Sequence, residues 1–178
     1  MDIKKISNNK YDINSYIVYD QESKSAVIFD PGVNYGSITD FIEQEKLIPK
    51  AIILTHGHID HIADTPKIKE LYRIDIYAHE LENEMLLDEN KSLSVHFGYE
   101  DFSFSADYFL KNNDILKFGP LEFKIMHTPG HTKGGICIFS GNFLLTGDTL
   151  FKGSMGRTDL YGGNDEHMRN SLYKLSQE

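Results

Sequence analysis

Apolar positions along the chain switch repeatedly between a period of two and a helical period. Residues 15–19 and 25–29 are rich in β-branched and aromatic side chains and flank the polar stretch 20–24, which predicts a hairpin. Asp30-Pro31-Gly32 stops the second strand. Ile38, Phe41 and Ile42 fall at helical spacing and predict a helix over residues 37–45, with Ser37 as its cap and Asp40 and Glu43 suiting its start. Residues 51–54 read as a buried strand, 67–72 as a helix whose Pro66 fits only a first turn, 74–78 as a strand and 80–87 as a helix. Residues 88–107 lack a clean period and carry Phe97, Tyr99 and Phe102 ahead of Phe104, which predicts a packed surface loop near a substrate. Two more hairpins follow, 114–118 with 121–127 across Gly119-Pro120, and 135–139 with 143–146 across Ser140-Gly141-Asn142. Met168, Leu172 and Leu175 are in phase and predict a closing helix over residues 165–175. Strands in two clusters therefore alternate with helices, an α/β pattern expected to form one domain over residues 1–178.

Composition narrows the function classes. Eighteen basic against 27 acidic side chains leave a net charge of −9, which repels phosphate backbones and anionic membrane surfaces. Neither nucleic acid nor membrane is an expected partner. The longest aliphatic run, Ala51-Ile52-Ile53-Leu54, is far short of the roughly 18 residues of a membrane span. Ser7-Asn8-Asn9-Lys10 stands where a signal peptide would place its apolar stretch, and a lone cysteine, Cys137, suits a reducing compartment, so a cytoplasmic location is expected. Cys137 lies in the apolar run Gly135-Ile136-Cys137-Ile138-Phe139 and reads as an inert core residue. The acidic stretch 80–89 reads as a solvated helix face.

The chemistry concentrates in Thr55-His56-Gly57-His58-Ile59-Asp60-His61, which follows a strand and holds three of the eight histidines. In an extended segment, side chains two apart share a face, so His56 and His58 reach one ion while Gly57 lets the backbone pass close beneath it. Asp60 and His61 form a second pair at a helix start. Imidazoles with carboxylates suit zinc, iron or a similar ion and not calcium or magnesium. His131 and Asp148 each follow a predicted hairpin strand, where a scaffold gathers distant ligands.

Thr55 to His61, Thr128-Pro129-Gly130-His131-Thr132, Thr146-Gly147-Asp148-Thr149-Leu150-Phe151 and Gly153-Ser154-Met155-Gly156-Arg157-Thr158-Asp159 together resemble the metallo-β-lactamase superfamily. Within it the chain is most similar to short bacterial hydrolases related to hydroxyacylglutathione hydrolase (glyoxalase II). The resemblance implies an αββα sandwich with a metal site at the edge between its sheets. It implies that His56, His58 and His131 bind a first zinc and Asp60 and His61 a second, with Asp148 bridging; iron or manganese is compatible. Asp30 matches a family position beneath the site and is expected either to orient a ligand histidine or simply to end its strand. The family's second metal takes a further histidine from a Pro-Gly-His-Gly-like segment beyond the last helix. Only His167 follows Asp148, inside that helix, so the chain is expected to lack a final strand and loop, the alternative being a natively incomplete second site.

A metal lowers the pKa of bound water from about 15.7 to about 7 and so produces hydroxide at neutral pH. A thioester suits this equipment, because its thiolate leaves with a conjugate acid near a pKa of about 8.5 and needs little acid assistance. Hydrolysis of a small-molecule thioester such as a hydroxyacyl-thiol is the expected activity, with Asp60 as ligand and proton acceptor. Two alternatives stay open: a persulfide dioxygenase with one Fe(II) on His56, His131 and Asp148, and a non-catalytic metal-binding module. His79, His96 and His127 read as structural or exposed. Arg157 reads equally as a partner for a substrate carboxylate or for Asp159.

Overall fold

The computed structural model describes residues 1–8, 13–141 and 143–178. Asn9 and Lys10 of the polar start and Asn142 of the last predicted turn lie outside the described residues.

Six strands form the first sheet in sequence order: β1 (Asp2–Asn8), β2 (Ile13–Tyr19), β3 (Ser25–Phe29), β4 (Ile48–Ile53), β5 (Asp75–His79) and β6 (Tyr108–Leu110). The β1–β2 and β2–β3 pairs are antiparallel, whereas β3 through β6 are parallel. The second sheet is antiparallel, in the order β10 (Phe143–Leu145), β9 (Ile136–Ser140), β8 (Leu121–His127), β7 (Ile115–Phe118). A short ribbon of β11 (Leu150–Phe151) and β12 (Ser154–Met155) follows Asp148.

β3 and the second half of β4 (residues 51–53) bury both faces, and their period of two sorts the side chains between two cores. Val27, Phe29, Ala51 and Ile53 face the second sheet and meet Leu121, Phe123, Ile125, Ile136 and Ile138. Phe29 and Phe123 pack edge to face, with centroids 5.2 Å apart. Ala26, Ile28, Ile52 and Leu54 point the other way, into a core with Ile38 and Ile42 of α1 (Tyr35–Glu45), Ile59 and Ile62 of α2 (Ile59–Ile62) and Ile68 of α3 (Thr65–Tyr72). On the second sheet's side, α5 (Asp165–Leu175) buries Met168, and its Ser171 hydroxyl donates to the Pro129 carbonyl at 2.7 Å. The result is the αββα sandwich that the resemblance implied. No helix among the described residues is long and apolar enough to cross a membrane.

Several local expectations change. Ser37 does not cap α1; the buried Asp64 carboxylate accepts from the Asn34 and Tyr35 amides at 2.7 and 2.8 Å and serves that end from outside the helix. The predicted helix over residues 80–87 is a 3-10 turn (Glu80–Glu82) followed by a single turn, α4 (Asn83–Leu86). Residues 2–8 form a strand, and so do residues 108–110 at the far edge of the same sheet. The loop 88–107 contains one 3-10 turn (Ser94–Phe97), and its Tyr99, Phe102 and Phe104 pack onto the helix-side core.

Candidate metal centre

Strand ends deliver the side chains. β3 ends at Asp30, which adopts a left-handed backbone (φ 47°) and is 3 % exposed. β4 runs into the Thr55–His61 motif, with His58 in extended conformation at the start of α2 and His61 on its first turn. β8 leads to His131, and β10 leads through Gly147 to Asp148. Gly147 is itself left-handed (φ 46°) and lies against the Thr55 side chain, with no space for a Cβ.

Four imidazoles gather where these ends meet. The His56 ring centroid lies 4.2 Å from that of His61, 4.9 Å from His58 and 4.8 Å from His131. Candidate ligand atoms of His56, His58 and His131 lie within 4.8 Å of one another, and so do those of His56, His61 and Asp148. Asp148 spans the two groups, one oxygen 3.2 Å from His61 Nε2 and the other 3.4 Å from His131 Nε2. Asp60 belongs to neither group; its carboxylate stands 4.0 Å from His61 Nε2, where it is partly exposed on the wall of an adjoining groove of about 770 Å³.

Outer hydrogen bonds decide which ring nitrogens face inward. His131 Nδ1 donates to the Arg157 carbonyl at 2.7 Å, leaving Nε2 with its lone pair toward the centre. His61 Nδ1 donates to Asp30 Oδ2 at 3.0 Å, which turns its Nε2 toward Asp148, 3.2 Å away. Asp30 also accepts from the Thr55 amide and hydroxyl at 2.7 and 2.6 Å, so that hydroxyl is free to accept from His56 Nδ1 at 3.1 Å. Asp30 therefore does both things expected of it, ending its strand and orienting a histidine. His56 Nε2 is left buried with no hydrogen-bond partner, and His58 Nδ1 faces His131 Nε2 at 2.9 Å. Two facing nitrogens and an orphaned third fit a shared cation, because a buried polar atom without a partner is costly.

The protonation preferences agree with that fit. Burial first, and then His61, His131 and His58, push the His56 pKa well below its ordinary value. Burial, His131 and His61 bring His58 down to about 3. Burial would likewise depress His61, but hydrogen bonds to Asp148 and Asp30 overcome it and hold its pKa well above the ordinary value. Burial pushes the Asp148 carboxyl up, and the His61 hydrogen bond with the surrounding imidazoles pulls it down further than that. His56 and His58 are thus neutral, the form that ligates, while His61 carries the proton that a cation displaces.

Other expected residues fall elsewhere. Arg157 makes a bidentate pair with Asp159, both bonds 2.7 Å, the internal partner of its two readings. His96 and His167 are exposed. His79 and His127 stack at 4.0 Å with planes 15° apart. Cys137 is buried and makes a 3.4 Å contact with the Thr128 hydroxyl. The acidic stretch is not uniformly solvated: Glu82 is 1 % exposed and its carboxylate accepts from the amides of Gly57 and Gly134, both at 2.7 Å. Only its neighbours in a helical reading argued for solvent, and the 3-10 turn points it inward.

Comparison with known proteins accords with this geometry. The metallo-beta-lactamase superfamily profile matches residues 9–178. The hydroxyacylglutathione hydrolase GloC of Haemophilus influenzae is 32% identical over 176 residues, 97% of this chain and 82% of that protein. The BLEG-1 B3 metallo-beta-lactamase superposes with a TM-score of 0.89 at 34% identity, over 96% of this chain and 83% of that one. TTHA1623 in a di-iron-bound form superposes with a TM-score of 0.85 at 26% identity, over 98% and 86%. Fold, motif order and clustered imidazoles all lead to one conclusion: the chain belongs to the metallo-beta-lactamase superfamily.

Proposed function

We propose that this protein is a metal-dependent hydrolase acting on a small-molecule thioester such as a hydroxyacyl-thiol. The observation that carries the reading is the pair of adjoining donor clusters, His56 with His58 and His131 and His56 with His61 and Asp148, with Asp148 reaching both His61 and His131. His56, His58 and His131 are assigned to a first ion, Asp60 and His61 to a second, and Asp148 to both. Zinc suits the donor set, with iron or manganese as alternatives.

When bound, such an ion supplies an acidic water and polarises the substrate carbonyl. The chain's own residues supply the rest. Asp30 and the Arg157 carbonyl accept from Nδ1 of His61 and His131 and so turn Nε2 of each ring toward Asp148. Asp60, open to the groove, is placed to accept a proton at its carboxylate. A thiolate departs without a dedicated acid, which matches a site whose other carboxylates are already engaged.

The test pairs elemental analysis of the purified protein with thiol release from an S-hydroxyacyl glutathione. The expected result is bound metal together with turnover that a chelator abolishes. Metal-loaded protein that releases no thiol overturns the thioester reading, and oxygen uptake with glutathione persulfide replaces it with the iron dioxygenase.

A further inference from the structure

We infer that Glu82 is a positioning residue for the metal centre, a buried carboxylate that sets the gap between the loop of His56 and His58 and the loop of His131. Gly57, between the first two histidines, follows β4 in one sheet; Gly134, three residues beyond His131, follows β8 in the other. Glu82 sits on the turn after β5 and takes one amide from each, Gly57 on Oε2 and Gly134 on Oε1, at 2.7 Å. A single rigid group thus spans the two ligand loops.

The approach leaves no slack. A Cβ on Gly134 would lie 2.9 Å from both Oε1 and the backbone nitrogen of Glu82, and one on Gly57 would lie 3.1 Å from Oε2 and from Met85. A second set of contacts ties the turn carrying Glu82 to the same His131 loop. His79 Nδ1 accepts from the Leu81 amide at 3.2 Å, and its ring stacks on His127, whose Nε2 donates to the Lys133 carbonyl at 2.9 Å. A carboxylate removed from water is costly, and burial does push the Glu82 carboxyl up; the Thr132 side chain and the two loop amides offset part of that cost. The same bonds therefore stabilise the anion and set where the ligand histidines stand.

This inference rests on the metal-binding half of the proposed function and not on its substrate. Two variants separate position from charge. Glu82→Gln keeps the length but turns a donor toward one of the two amides; Glu82→Asp keeps charge and acceptors but is one methylene short. Folding is checked by circular dichroism of the metal-free chains, zinc affinity by competition with a chromophoric chelator, and ligand geometry by the visible spectrum of the Co(II) form. Both variants are expected to fold, to bind zinc about 10–100-fold more weakly and to show an altered Co(II) spectrum. A folded variant with wild-type affinity and spectrum overturns the inference, and so does failure of both to fold, which would make Glu82 a determinant of the fold instead. Wild-type protein that binds neither ion sinks the metal centre itself, a result distinct from both.

Discussion

Asp30 shows how much one residue organises. Its two oxygens serve the Thr55 amide, the Thr55 hydroxyl and His61 Nδ1, and through Thr55 it also fixes His56. Asp30→Asn replaces one acceptor by a donor and is expected to weaken zinc binding about 10–100-fold, read by chelator competition. His79 supports a prediction about pH. Burial, and after it the stacked His127, lower its pKa from 6.5 to about 4. Between those values the unfolded chain takes up a proton that the folded chain refuses, so stability is full above pH 6.5 and is lost as pH falls toward 4. Thermal melts over that window are expected to show a shallower acid loss for His79→Gln than for wild type; identical slopes would refute the assignment. His56, His58 and His61 were readable as candidate donors because their spacing is local and improbable. Glu82 was not, since its partners lie 25 and 52 residues away and only the closed fold brings them to it.

Elements with strong internal periodicity matched their sequence signals, as β2, β3, β8, β9 and α5 show. Those held by distant partners did not. β1 is polar and mostly exposed outside Ile6, and it exists because it pairs along its whole length with β2, from Asp2 opposite Tyr19 to Asn8 opposite Ile13. β6 has only three residues and depends on parallel pairing with β5. The start of α1 makes the same point energetically. Asp64, about thirty residues along the chain from that helix, accepts its first two amides in a buried setting. Asp64→Ala leaves both without this partner and is expected to destabilise the protein by about 1–3 kcal/mol in urea unfolding, with Ser37→Ala near neutral as the control.

Across the whole molecule, stability and the metal centre share one interface. Phe29, fully buried between the sheets against Phe123, is expected to cost about 3–5 kcal/mol when cut to alanine. The candidate donors come from both layers, so an ion bound by the proposed set would resist their separation. Zinc at about a hundred times its dissociation constant adds about 2.7 kcal/mol, which for a chain of this size raises the melting temperature by about 5–10 °C, and a chelator in a scanning experiment is expected to remove that increment. An unchanged melting temperature would mean that no ion binds across the layers.

The separation of ligands along the chain also has a consequence during synthesis. His58 and His131 face each other across 73 residues of sequence, a stretch that takes a ribosome roughly 4–15 s to add. Throughout that interval the nascent histidine motif is exposed without its counterpart, and any ion it captures is held by half a site. Only once β8 to β10 have emerged and docked do all the candidate donors stand together, so an ion held by the whole set is bound after Asp148 has been made.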